Sequence, residues 1–228
     1  MSGEQNRDIV PLVTLEDAAK AYPSPAGLRT VLEPTTATLS AARGIGILGR
    51  NGAGKSTLVR MLSGAELPDQ GAIHPHVELS WPLGLSGALQ GSLTGRENAR
   101  FVARIYGADP EEVTAAADEF AELGADMDLP VGAYSSGMKA RLGFGLSLAL
   151  DFGCYLIDES LGVGDRRFQE KSRRELNARL ATARAIVVSH NPSTLLEFCD
   201  RGALLSGGRL ELFDDIAEAI EEHHRRSQ

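Results

Sequence analysis

Apolar and polar positions alternate over Val10 to Leu15 (VPLVTL), the period-2 pattern of a half-buried strand. Ser24-Pro25-Ala26-Gly27 reads as a turn, and strand-like pieces follow at Arg29 to Leu32 and Thr36 to Leu39, an antiparallel opening to the chain. Ala42 to Leu48 (ARGIGIL) is a buried strand, and Lys55 to Ser63 (KSTLVRMLS) a helix. Beyond the Pro68-Asp69-Gln70-Gly71 turn, short strands are expected near Ala72 and Val77. The period then lengthens. Thr94 with Glu97 (T-x-x-E) caps a helix toward Tyr106, Asp109-Pro110-Glu111-Glu112 opens the next, and Ser136 to Leu150 forms a third. From Phe152 strand and helix alternate: CYLID (154–158), Asp165 to Ala183, AIVVSH (185–190) and Pro192 to Cys199. A hairpin around Gly207-Gly208 and an acidic helix close the sequence.

That order predicts an α/β fold with a mostly parallel sheet covered by helices on both faces. An antiparallel β-subdomain precedes it, and a helical block of about 92–148 is inserted within a single domain spanning 1–228. Composition agrees with a globular chain: 43% of the 228 residues are hydrophobic and 24% charged. The most apolar run, Leu142 to Leu150, falls short of the ~18 residues a membrane span needs. MSGEQNRDIV lacks the basic and apolar regions of a secretory signal, and Cys154 and Cys199 lie in apolar surroundings without a C-x-x-C partner, so reduced core cysteines of a cytosolic protein are expected. The net charge of −8 weighs against nucleic acid as a partner. One basic helix, Asp165 to Arg184 with seven Arg/Lys against three acids, reads as a solvated face.

The chemistry starts at Gly49-Arg50-Asn51-Gly52-Ala53-Gly54-Lys55-Ser56-Thr57. Gly49, Gly54, Lys55 and Ser56 fill every fixed position of G-x-x-x-x-G-K-[ST]. Glycines let backbone N–H groups converge on phosphate oxygens, Lys55 supplies a mobile positive charge, and Ser56 offers a hydroxyl to Mg²⁺. A strand enters this loop and a helix leaves it, the context that makes it a nucleoside triphosphate site. Asp158 and Glu159 end an apolar strand, where α/β sheets gather ligands; Asp158 fits a Mg²⁺-holding role and Glu159 the activation of an attacking water. His190, at the end of a later strand, is expected near the γ-phosphate. The other four histidines have no such context. Tyr134 to Leu142 (YSSGMKARL) is a second anion-binding helix start, surplus to the first site, which points to completion of a second molecule's site.

With these motifs assembled, the chain resembles the ATP-binding subunits of ABC transporters over essentially its whole length. Within that family, Trp81 to Asp109 and YSSGMKARLGFGLSLAL resemble the subunits that export capsular polysaccharide in Gram-negative bacteria, with O-antigen and teichoic acid exporters as broader relatives. The resemblance implies a RecA-like P-loop core, an ATP-closed homodimer, a membrane-spanning permease partner and a place at the cytoplasmic face of the inner membrane. Polysaccharide would be handled only indirectly. It implies that residues 49–57 hold ATP, that Ser135, Ser136, Gly137, Met138 and Lys139 act across the dimer, and that Glu159 and His190 are catalytic. Tyr22 sits where the family places an aromatic against adenine; an ordinary turn tyrosine before Pro23 is the other reading. The signature SSGMK departs from the common LSGGQ at Met138 and Lys139. Gln90 lies closer to SLTGREN than the usual glutamine loop, so it is either a Mg²⁺ and water ligand or a turn residue. Asp165 is the candidate for the cross-dimer aspartate, and the inserted block including Trp81 to Arg100, next to Gln90, is the candidate for permease docking, with Leu85 to Leu89 the positions that probe it.

Overall fold

A computed structural model describes residues 8–25, 27–83, 89–158 and 165–227. Glu159, and residues 84–88 of the expected docking stretch, lie outside the described residues. The chain divides into two compact units. The first takes in described residues up to 82, 153–158 and those from 183 onward; the second takes in 83, 89–152 and 165–182.

The first unit opens on a long antiparallel hairpin, β1 (Val10–Ser24) and β2 (Gly27–Ala41), with a third strand, β4 (Gln70–Pro75), on the free side of β1. Sequence alternation breaks this hairpin into three short pieces. The reason is visible in the register, which shifts at Pro11/Val13, Leu15/Ala18 and Ala18/Lys20, so alternation loses phase while pairing continues. Asp17 sits at one of these bulges with φ 48°.

The second sheet runs β5 (Leu79–Pro82), β6 (Cys154–Asp158), β7 (Arg184–Val188), β3 (Gly44–Leu48), β8 (Arg201–Ser206) and β9 (Arg209–Phe213), all parallel except β9. Every residue of β3 is buried, as a central parallel strand covered on both faces requires. On one face α1 (Lys55–Leu62) places Leu58 and Met61 in a core with Leu12, Leu15 and Leu39 of the hairpin and Ile47, Leu156 and Val188 of the sheet. On the other lie α6 (Pro192–Phe198) and α7 (Ile216–Ser227). They pack so closely that a Cβ on Gly46 would stand 2.6 Å from Ile216 Cδ1 and 3.0 Å from Leu195 Cδ2. Cys154 and Cys199 are free and buried, and burial pushes the Cys154 thiol up to about 12, which makes it unreactive.

The second unit is helical: α2 (Gly95–Ile105), α3 (Pro110–Ala121), α4 (Ser136–Ala149) and α5 (Arg166–Leu180). The expected starts are realised. Thr94 and Glu97 close a capping box, Thr94 N donating to Glu97 at 2.8 Å and Glu97 N to Thr94 at 3.1 Å, while Asp109 caps α3 ahead of Pro110. Phe120 of α3 stacks on Phe144 of α4 (centroids 5.5 Å) and meets Phe168 of α5 edge-on at 5.2 Å. Several cations of α5 are paired within this unit: Arg166 with Glu170 at 3.0 Å, Lys171 with Glu122 at 2.8 Å, Arg174 with Glu175 at 2.9 Å, and Arg179 with Asp151. Among the described residues no helix is long and apolar enough to cross a membrane.

Candidate active site

Sheet register aligns the chemistry of the first unit. Ile47 of β3 pairs with Val188 of β7, which pairs with Asp158 of β6, so the last residues of β6 and β7 and the next-to-last of β3 lie in one row. Gly49 and His190 each follow that row by two residues. The cavity there, of about 630 Å³, is lined by Tyr22, Asn51, Gly52, Gly54, Lys55, Ser56, Thr57, Asp158 and His190 of the expected set. Arg29, Val31 and Val188 also line it. Gly49, Arg50 and Ala53 of the expected set are not among its lining residues.

The loop's shape is set by backbone. Gly54 has φ 107°, a conformation L side chains rarely adopt, and a Cβ there would collide with the Val31 side chain. That glycine starts α1 without a side-chain cap, and the first turn of α1 holds no acid. Among the described α-helices this start is exceptional. Thr94, Asp109, Ser135, Asp165 and Asn191 cap α2 to α6, and the Asp215 carboxylate accepts from Ala217 N at the start of α7. The N–H groups and positive dipole end of α1 are thus directed at the cavity, an arrangement suited to phosphate. Lys55 is buried, and its Nζ donates to the carbonyls of Gly49 at 2.8 Å and Arg50 at 3.2 Å, which folds the ammonium back over the loop.

Tyr22 is held from α1 and the loop after it. Its hydroxyl donates to Glu66 and accepts from Arg60 Nη2 at 3.3 Å; the same nitrogen donates to Thr57 Oγ1 at 3.1 Å. The Lys20 ammonium lies 5.5 Å from the ring centroid. Tyr22, chiefly, then Arg60 and Lys20, hold the Glu66 carboxyl below its usual range. This support was not legible in sequence: Lys20, Arg60 and Glu66 have no motif spacing. Arg29 was also missed, although it stands directly across the hairpin from Tyr22 and the Ser24 to Gly27 turn fixes that register.

The remaining expected residues belong to the second unit. Ser135 caps α4, its hydroxyl accepting from Met138 N at 3.2 Å, and both Ser135 and Ser136 are exposed at that helix start. Asp165 caps α5 by accepting from Phe168 N at 2.9 Å. Gln90 is exposed, with its backbone clamped by the buried Asn98 side chain, which accepts from Gln90 N at 2.8 Å and donates to Gln90 O at 3.1 Å.

Ser56 and Asp158 bring a hydroxyl and a carboxylate to the cavity at the start of α1. This sparse, hard oxygen set fits Mg²⁺, which takes one or two carboxylates together with phosphate oxygens and water.

Comparison with known proteins agrees with the geometry. The ABC transporter family pattern matches residues 32–162. The chain is 47% identical to the ATP-binding protein BexA of Haemophilus influenzae, across 92% of this chain and 97% of that protein. It is 48% identical to the capsule polysaccharide export ATP-binding protein CtrD of Neisseria meningitidis, with the same coverage. Among solved structures, the ATP-binding cassette MJ0796 in a dimeric post-hydrolysis state with ADP and Pi shares the fold, with TM-score 0.71, 19% identity and coverage of 88% of this chain and 98% of that one. Motif, register and similarity converge: the chain belongs to the ABC transporter family.

Proposed function

We propose that the chain is the ATP-hydrolysing subunit of a capsular polysaccharide exporter, working as an ATP-closed homodimer on a membrane-spanning permease at the cytoplasmic face of the inner membrane. The uncapped start of α1, facing the cavity that Lys55, Ser56 and Asp158 line, is the observation that carries the ATP reading. Near end-to-end similarity to CtrD supports the export reading and favours capsule as the cargo.

In this reading the backbone N–H groups of residues 49–57 wrap the phosphates, and Lys55 exchanges the Gly49 and Arg50 carbonyls for β- and γ-phosphate oxygens. Ser56 and Asp158 would hold Mg²⁺, which neutralises charge on the phosphates when bound. Glu159 takes the proton of the water attacking the γ-phosphorus, and His190 reports on that phosphate from the row it shares with Gly49. Tyr22 stacks on the base. Ser136 and Gly137 of a second copy close over the γ-phosphate, so that ATP favours the closed dimer and hydrolysis releases it. Gln90, on a loop pinned by Asn98, adds a ligand to the water or Mg²⁺, and Asp165 acts across the dimer.

The reading is tested by complementing a deletion strain with the parental chain or Lys55→Ala, while measuring ATP turnover of both purified proteins. The parent restores surface polysaccharide and turns over ATP; Lys55→Ala does neither. A parent that hydrolyses ATP in a strain whose surface polysaccharide never depended on it would refute the export reading.

A further inference from the structure

Arg29 brings a fixed positive charge to the nucleotide cavity from outside the P-loop. It lies on β2 directly opposite Tyr22 of β1, and both side chains line the cavity. Its guanidinium donates through Nη2 to the Gly52 carbonyl on the P-loop. Gly52 has φ +77°, and a Cβ there would stand 3.3 Å from Arg29 Nη2, so the guanidinium rests on bare loop backbone. The side chain is exposed, and its cross-strand neighbour is a tyrosine rather than an acid, so neither core packing nor a hairpin ion pair accounts for its position. A guanidinium stays protonated and carries five N–H donors in a planar fork suited to phosphate. The Gly52 carbonyl is the one hydrogen-bond partner found for it among the described residues.

We propose that Arg29 is a phosphate-reading residue: with a nucleoside di- or triphosphate in the cavity, it donates to the phosphate chain from the hairpin that also carries Tyr22. The ligand chemistry is a polyphosphate joined to a planar base, and a nucleoside without phosphates gains nothing from Arg29. This inference rests on the nucleotide reading of the cavity. It adds that one two-stranded element, tied to the P-loop by the contact from Arg29 to Gly52, senses base and phosphate together.

The test is displacement of a fluorescent ATP analogue from the full-length chain by ATP, ADP and adenosine, in the presence of Mg²⁺ and at several salt concentrations. Arg29→Ala is expected to weaken ATP and ADP about 10-fold while leaving adenosine unchanged, and to flatten the salt dependence of ATP affinity. Arg29→Lys, which keeps the charge without the fork, should recover part of the loss. Equal ATP affinity in parent and Arg29→Ala overturns the proposal. So do equal losses for ATP and adenosine, which would mean that Arg29 only shapes the loop, and loss of ATP-dependent dimerisation alone, which would place it at the interface between copies. A parent that binds neither analogue nor ATP would sink the nucleotide reading itself, an outcome distinct from each of these.

Discussion

The Tyr22 hydroxyl donates to the Glu66 carboxylate, which also accepts from Arg60 Nε at 3.0 Å. Arg60 belongs to α1, so the ring proposed as the base platform is anchored to the helix proposed to receive the phosphates. Base–aromatic stacking is worth about 1–3 kcal/mol. Tyr22→Ala should therefore weaken ATP roughly 5- to 150-fold in an equilibrium titration. Tyr22→Phe keeps the ring and should lose much less. Glu66→Ala should fall between them, because it leaves the ring in place but unpinned. ATP affinity in Tyr22→Ala equal to the parent would remove Tyr22 from the site.

Glu159→Gln keeps the shape of the side chain and removes the carboxylate proposed as the base. A positioned base contributes about 10²–10⁴ in rate, so turnover should drop by that order while ATP binding persists. Hydrolysis no longer opens the dimer, and a stable ATP-bound dimer should elute earlier in size-exclusion chromatography. A variant that turns over ATP at the parental rate assigns the base elsewhere.

Asn98 is buried and makes contacts in both directions across the loop from Gln90 to Thr94: besides its two bonds to Gln90, its Nδ2 donates to Leu93 O at 3.3 Å and Thr94 O at 2.9 Å. Asn98→Ala strands Gln90 N, while the carbonyls of Gln90, Leu93 and Thr94 keep the backbone donors Leu93 N, Val131 N and Asn98 N. The cost should be about 1–3 kcal/mol, read in urea unfolding of the full chain. A change under about 0.5 kcal/mol would mean that the loop holds itself.

The strand, glycine-rich loop and helix at 44–62 were legible in sequence because the signal is local: a buried apolar run, closely spaced glycines and a helical period follow one another directly. The helix starts at Thr94, Asp109 and Ser136 were legible for the same reason, since a cap acts within one turn. The hairpin was legible only in fragments, because bulges at Leu15/Ala18 and Ala18/Lys20 break the period on which strand reading depends. The supports of the site were not legible at all. Glu66 reaches Tyr22 across 44 residues of sequence, and Arg29 reaches Gly52 across 23. Such contacts are made by the packing of β1, β2 and α1, and no spacing rule encodes them.

The strand that feeds the P-loop is tied at its other end by Asp200, whose carboxylate accepts from Arg43 N at 2.7 Å, Gly44 N at 2.8 Å and Ala42 N at 3.0 Å. Burial pushes this carboxyl up, but the N–H groups of Gly44, Ala42 and Arg43 outweigh it and leave it below its ordinary value. A carboxyl held lower in the folded chain than in the unfolded one stabilises the fold above the unfolded value of about 4. That contribution fades as pH falls through the folded value, because protonation removes the charge that the N–H groups bind. Asp200→Ala should cost about 2–3 kcal/mol at pH 7, and Asp200→Asn, with one acceptor oxygen left, somewhat less. Urea unfolding of parent and Asp200→Asn from pH 7 to pH 3 should give a stability gap that is constant down to about pH 5 and narrows below pH 4. A gap independent of pH would show that the shape of the Asp200 side chain, not its charge, fixes the start of β3.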